Sequence, residues 1–231
     1  MRLSQYVSIA GACSKRAANR LISAGKVCVN GVLADNHTVI NGSESITLGG
    51  QLITLPDHFS YVIYNKPVGI DCNYRSQDPA SLINHLDLPK RLFPVGRLDK
   101  DSHGLLLLTD DGGLCHRLLS PEFHYRKTYH VSVRPHFNKP DIDVQFCRLM
   151  EQGVDIGQAV TLPCRVQLLG ANRFEIVLTQ GLNRQIRKMS RALGYHVIDL
   201  QRVEISGCKL GELPEGKWRS LSDKEVELLV N

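Results

Sequence analysis

The sequence predicts an α+β protein in two parts, a small helix-and-strand module followed by a larger domain built on a mixed, mainly antiparallel β-sheet flanked by helices. Three observations point there. Residues 1–55 pass quickly from helical to extended periodicity, with a turn dipeptide between short apolar runs. From Tyr61 onward, strand-length runs rich in β-branched and aromatic residues alternate with short helical patterns. Several of those runs follow one another across turns too short for a crossover helix, which favours antiparallel neighbours.

In order along the chain, Leu3, Tyr6, Val7, Ile9 and Ala10 recur at helical spacing. After Gly11 a second helix starts with Ser14 as N-cap and turns Ala17, Ala18, Leu21 and Ile22 inward, ending at Gly25. Val27 to Val29 reads as a strand, Asn30-Gly31 as a hairpin turn, and further strands are expected at 46–48 and 52–55. Pro56-Asp57-His58 reads as a linker, so the division falls at 1–55 and 56–231. Beyond it, strands are expected at 61–65, 105–109, 128–134, 164–168, 174–179 and 196–203. Helices are expected at 80–86, 112–119, 139–152, 183–194 and 222–230.

The formal charge of +5 leans toward a polyanionic partner. Its distribution says more: residues 1–50 carry five basic side chains against two acids, with Lys15, Arg16 and Arg20 on one helix face. The cysteines, 7 in all, are scattered, with no Cys-x-x-Cys pair, which argues against a disulfide framework or a metal site and for a reducing compartment. The chain opens on an amphipathic pattern, and no apolar run approaches the roughly 18 residues of a membrane span. The expectation is a soluble cytoplasmic protein with no membrane partner. No heptad pattern is present, which favours a monomer.

Nucleotide-fold and phosphate-loop glycine motifs are absent, as is the Gly-x-Ser-x-Gly elbow of serine hydrolases. What stands out is Gly96-Arg97-Leu98-Asp99-Lys100-Asp101-Ser102-His103-Gly104, directly before the apolar run Leu105 to Leu108. A carboxylate at such a strand-edge turn can point into a cleft, which makes Asp99 the first candidate for chemistry. The run partly imitates a calcium loop, but His103 stands at position five, Asp110 at position twelve, and strand follows where helix should. Two further segments matter. Arg126 to Val131 sets Tyr129 on the same strand face as Lys127 and Val131. Gln180 to Met189 opens a helix whose Ile186, Met189 and Leu193 form an apolar stripe beside a basic flank of Arg184, Arg187, Lys188 and Arg191.

In order and over nearly the whole chain, these segments resemble the ribosomal RNA pseudouridine synthases of the small-subunit synthase A type, the group that includes the large-subunit synthases B, E and F. Residues 1 to about 48, with Ser14-Lys15-Arg16 and Gly25 to Gly31, look like the S4 RNA-binding module. Asn65-Lys66-Pro67-Val68-Gly69, Gly96 to Asp99, Lys127-Thr128-Tyr129 and Asn183 to Met189 look like the catalytic-domain signatures. The stretches Asp99 to Ser102 and Gln180 to Arg187 are most similar to synthase F, while Leu182 and Lys188 stand where much of the group has a basic residue and an arginine. The resemblance implies an isomerase that needs no cofactor and converts uridine in ribosomal RNA, 23S before 16S, with transfer RNA as an alternative substrate. It implies Asp99 as the catalytic carboxylate, Arg187 reaching across the cleft to pair with it, and Tyr129 stacked on the uracil. It also implies that Arg97 fills the space left by a flipped base, that Lys66, Lys127, Arg184 and Lys188 contact phosphates, and that Lys15, Arg16 and Arg20 contribute a second RNA-binding surface. A non-catalytic RNA-binding protein, and a hydrolase using Asp99 with Asp101, remain the competing readings.

Overall fold

The structure, a computed structural model, describes residues 1–230 and divides into two compact units. The first comprises Met1–Ser60 with the short segments Pro89–Leu92 and Asp110–Gly112. Its helices are α1 (Leu3–Ile9) and α2 (Lys15–Ser23), and its antiparallel sheet runs in the order β2 (Val32–Leu33), β1 (Val27–Val29), β3 (Ile46–Leu48), β4 (Gln51–Ile53). The Ser14 hydroxyl accepts the Ala17 amide at 3.3 Å, as expected of an N-cap. Asn30 and Gly31 both take positive φ, 50° and 80°, to close the β1–β2 hairpin. A second such turn, Gly49-Gly50, closes β3 onto β4 and starts β4 at Gln51, one residue before the expected start. Leu3, Val7, Ala18, Ile22, Val27 and Ile46 form the core, leaving Lys15, Arg16 and Arg20 exposed. The unit extends past Leu55 because the Ser60 amide donates to the Asp110 carboxylate at 2.7 Å and Lys90 pairs with the same group at 2.6 Å.

The second unit holds β5 (Tyr61–Lys66), β6 (Phe93–Pro94), β7 (His103–Thr109), α3 (Gly112–Leu119), β8 (Lys127–Pro135), α4 (Val144–Glu151), β9 (Arg165–Gly170) and β10 (Arg173–Leu178). After these come α5 (Gln185–Ala192), β11 (Tyr195–Ile205), β12 (Cys208–Lys209), β13 (Trp218–Ser220) and α6 (Asp223–Val230). The nine-stranded sheet is ordered β13-β5-β7-β11-β8-β10-β9, with β6 beside β7 and β12 beside β11. Among the described residues only β7 and β11 pair in parallel, so the sheet is mixed and mainly antiparallel. Leu105 to Leu108 are all buried because β7 is central, which is why the run is apolar at every position instead of alternating. One core packs α4 and α5 on β8, β10 and β11 through Phe146, Met150, Val131, Phe174, Ile176, Ile186 and Met189. A second packs Leu114, Leu118 and Leu229 against Ile63, Leu105 and Leu107.

Three helices differ from the sequence-based expectation. Residues 80–86 form a single 3-10 turn, Leu82–His85, because Ser81 bridges to Asp71 and the Leu82 amide donates to the Asp71 carbonyl. The helix expected at 139–152 starts at Val144: Pro140 and a left-handed Asn138 precede it, and Asp143 caps it by accepting the Phe146 amide at 2.9 Å. The helix expected at 183–194 starts at Gln185, because Arg184 itself is left-handed at φ 52°.

Candidate active site

The site is built on the turn between β6 and β7. The Ser102 amide donates to the Asp99 carbonyl at 3.0 Å, closing a four-residue turn that holds Asp99 at its start. The neighbouring 66–72 segment braces this turn at three points. The Gly69 amide donates to the Lys100 carbonyl at 2.7 Å, the Leu98 amide to the Cys72 sulfur at 3.4 Å, and the Arg97 guanidinium to the Asp71 carboxylate at 3.3 Å. Beyond the turn, Gly104 lies beside Arg202 of β11, and a Cβ there would sit 2.3 Å from the Arg202 carbonyl oxygen, at φ +98°. Only glycine lets β7 and β11 approach so closely at the point where the chain leaves the turn.

Two carboxylates and two guanidiniums gather at this turn. Arg184 grips Asp101 with both ends of its fork, at 3.0 and 2.6 Å, and lies 3.7 Å from Asp99. Arg187, largely buried, donates to the Asp101 carbonyl at 2.7 Å, the Ser102 hydroxyl at 3.2 Å and the Val197 carbonyl at 3.2 Å, with its Nε 3.4 Å from the Asp101 carboxylate. Hydrogen bonding from Arg184 holds the Asp101 carboxyl below its usual range and raises the Arg184 guanidinium in return. Burial pulls Arg187 the other way, downward, with Asp101 opposing it. The left-handed backbone of Arg184 is a strained conformation for a residue with a Cβ, and it occurs where the helix must start under this cluster. Gln185 secures the bend by accepting the Leu182 amide at 3.0 Å and donating to the Gln180 side chain at 3.2 Å.

The expected pairing of Arg187 with Asp99 is corrected here: Arg184 is the cation within ion-pair distance of Asp99, while Arg187 is spent on Asp101 and Ser102. Lys66, expected as a phosphate contact, has its ammonium turned into the protein. It is fully buried at the end of β5, its ammonium donating to the Pro67 and Ile70 carbonyls at 2.9 and 2.7 Å, and burial lowers its pKa. Lys127 is half-buried with its ammonium on the Tyr125 carbonyl at 3.3 Å, and burial again lowers its pKa. Arg184 faces solvent, but Asp101 occupies its fork. Lys188 and Arg97 are the members of the expected RNA-facing set that border cavities in this unit with no such commitment, Arg97 having, among the described residues, a single 3.3 Å ion pair, to Asp71. Asp101 was legible in sequence only as a second acid. Its part as the anchor for two arginines more than eighty residues away needed the fold.

An open cavity of about 420 Å³ lies over the turn, bordered by Arg97, Asp99, Tyr129, Gln180, Arg184 and Leu200 among others. Tyr129, half-buried on β8, packs against the core that includes Ile176, Ile186 and Leu200 and borders the cavity beside the last two. Asp99 is a third exposed there, within reach of an entering molecule.

A carboxylate and a tyrosine facing one cavity, edged by arginines, define the class as an enzyme acting on a planar group carried by a polyanion. More particularly, the chain belongs to the RNA pseudouridylate synthase family, whose model matches residues 60–192, and an S4 domain model matches residues 1–44. It is therefore an isomerase. Among its relatives, the dual-specificity RNA pseudouridine synthase RluF of Escherichia coli K12 is 39% identical over 98% of this chain and 77% of its own length. Ribosomal large subunit pseudouridine synthase B of Bacillus subtilis 168 is 32% identical over 99% of this chain and 95% of its own. A crystal structure of a pseudouridylate synthase superposes with a TM-score of 0.71 at 29% identity, covering the whole of both chains. The resemblance to the synthase A group, and to synthase F within it, is thereby borne out. No helix among the described residues is long and apolar enough to cross a membrane.

Proposed function

We propose that this protein isomerises a uridine in ribosomal RNA, with Asp99 as the catalytic carboxylate and the nucleotide flipped out of the RNA into the cavity over the turn. The observation that carries the reading is Asp99 and Tyr129 bordering one cavity of about 420 Å³, with the tyrosine packed against the core. The reaction breaks the bond from ribose C1′ to uracil N1 and forms one from C1′ to C5. A proton leaves C5 and N1 is protonated, so no oxidant, metal or cofactor enters the balance. The carboxylate acts at the sugar or the base while Tyr129 stacks on the uracil and assists proton removal. Arg187 positions the turn and Arg184 supplies the charge beside Asp99. Arg97, side chain mostly exposed at the cavity edge, is the group suited to fill the vacated stack, at an unstacking cost of a few kcal/mol.

The RNA we assign first is 23S, because the Bacillus relative is named for the large subunit, with transfer RNA as a second substrate to test beside 16S. The absence of a heptad pattern supports action as a monomer, and ribosomal RNA as substrate supports the cytoplasm as location. Lys15, Arg16 and Arg20 on α2 would add a second electrostatic contact, and replacing all three by Gln should flatten the salt dependence of RNA binding by about 2 in log–log slope. An unchanged slope would remove the module from the interface. The central test is tritium release from uracil C5 of deproteinised ribosomal RNA, with Asp99→Asn beside the wild type. Release by the wild type alone supports the assignment, whereas equal release by both would remove Asp99 from the chemistry, and RNA binding without release from either would favour a non-catalytic role.

A further inference from the structure

Next to the cavity over Asp99 lies a second one, of about 220 Å³, between the exposed side of α5 and the start of β11. Its charged lining is Asp101, Arg184, Arg187, Lys188 and Arg191, with His196 beside them. The acid in that lining is already neutralised by Arg184 and Arg187, and Asp199, on the same strand as His196, is held by His103 at 2.9 Å. Lys188 and Arg191 form no ion pair among the described residues. Two cations without a counter-charge therefore face a concave space, where the field is focused instead of being dispersed as on a convex helix face. The wall is rigid. The Tyr195 ring packs edge-on against Phe146 at 4.9 Å and its hydroxyl donates to the Pro140 carbonyl at 3.2 Å. Arg184 lines both cavities, so the two spaces are neighbours.

We propose that this second cavity is a phosphodiester subsite, formed by Lys188 and Arg191 with His196 at its edge, which seats the RNA backbone within a nucleotide or two of the flipped uridine. The proposal rests on the reading of the first cavity as the uridine site. A phosphodiester suits the space because it is compact, singly charged and able to accept hydrogen bonds from two cations at once. It fixes where the strand runs without reading sequence, and so positions the target over Asp99.

The test is equilibrium binding of 5′-hydroxyl decauridylate across a salt series by the full-length wild type, by Lys188→Gln/Arg191→Gln, and by Arg148→Gln/Arg165→Gln. The last removes the same net charge from exposed positions on α4 and β9. The pocket variant should bind about tenfold more weakly near 0.1 M salt and show a log–log slope shallower by about 1, with the control variant close to wild type. Equal losses in the two variants, or no loss in the pocket variant, would overturn the proposal. The same would follow from a wild-type preference for 5′-phosphorylated decauridylate that vanishes in the pocket variant, since that assigns the cavity to a terminal phosphomonoester. Tritium release from ribosomal RNA is read separately on the wild type, so failure of the uridine assignment is distinguishable from failure of the subsite.

Discussion

Arg187→Lys separates geometry from charge at the Asp99 turn. The guanidinium makes three hydrogen bonds, to the Asp101 carbonyl at 2.7 Å, the Ser102 hydroxyl at 3.2 Å and the Val197 carbonyl at 3.2 Å, beside its 3.4 Å approach to the Asp101 carboxylate. An ammonium on a shorter, pointlike head keeps the positive charge but cannot span the turn and β11 together, so at least two of these bonds are broken. Hydrogen bonds to a charged group contribute about 1.5 kcal/mol each, so about 3 kcal/mol of turn stabilisation disappears. At about 1.4 kcal/mol per decade, that lowers the equilibrium constant for the productively set Asp99 turn by about 100-fold, and for a turn that is only marginally set the productive fraction falls with it. The expected result is a fall of that size in single-turnover kcat, read by tritium release at saturating RNA, with KM within about threefold of wild type because the broken hydrogen bonds all lie within the protein and none reaches the RNA. A kcat within threefold of wild type would refute the reasoning. So would a defect confined to KM, which would make Arg187 an RNA-binding group.

Three other perturbations test the scaffold. Lys66→Met leaves the Pro67 and Ile70 carbonyls without their donor and should cost about 2 kcal/mol in urea unfolding while leaving the salt slope of RNA binding unchanged; a shallower slope would restore Lys66 as a phosphate contact. Gly104→Ala sets a Cβ 2.3 Å from the Arg202 carbonyl oxygen at φ +98°, and should lower stability by about 3 kcal/mol or more, an expectation that a loss under about 1 kcal/mol would defeat. The Glu225 carboxylate caps α6 through the Ser222 amide at 2.9 Å and takes both ends of the Arg219 fork, which holds its pKa down to about 2. A lowered folded-state value stabilises above the ordinary carboxylate range and is lost as pH falls through the folded value. Glu225→Gln should therefore cost about 1 kcal/mol at pH 7 by thermal melting, and the gap should narrow as pH falls from 4.5 toward about 2.

Local chemistry accounts for what the sequence made legible. Ser14, Asn30-Gly31 and the Gly96–Gly104 run act within a few residues of themselves, so the α2 cap, the first hairpin and the Asp99 turn could be read directly. Lys66 could not, because its burial depends on β5 lying next to the central strand and on the chain doubling back from Pro67 to Ile70. The pairing of Arg187 with Asp99 is implied by the family resemblance alone. The register of α5, however, is set by a left-handed Arg184 that no periodicity signals, and this rotates Arg187 onto Asp101 and Ser102 instead. The 80–86 and 139–152 expectations failed for a related reason: helical spacing persists through segments whose amides are already committed to Asp71, or whose start is blocked by Pro140.

The division of labour between the two carboxylates yields the last expectation. Asp101 takes both hydrogen-bonding ends of Arg184, which leaves Arg184 at 3.7 Å from Asp99, near enough to act as a counter-charge and too far to saturate its oxygens. A carboxylate that must attack carbon or accept a proton loses reactivity when a guanidinium fork occupies both oxygens, because those bonds must be broken on the way to the transition state. Asp101→Asn keeps the size of the side chain but removes the charge that detains Arg184, so the fork should close onto Asp99. The expected outcome is about a tenfold loss of kcat in Asp101→Asn. Most of that loss should be recovered in Asp101→Asn/Arg184→Gln, where no fork remains to close, giving a coupling of about 1 kcal/mol in the double-mutant cycle. If the double variant is as slow as the single, or slower, Asp101 serves the turn through its backbone alone and does not hold Arg184 away from Asp99.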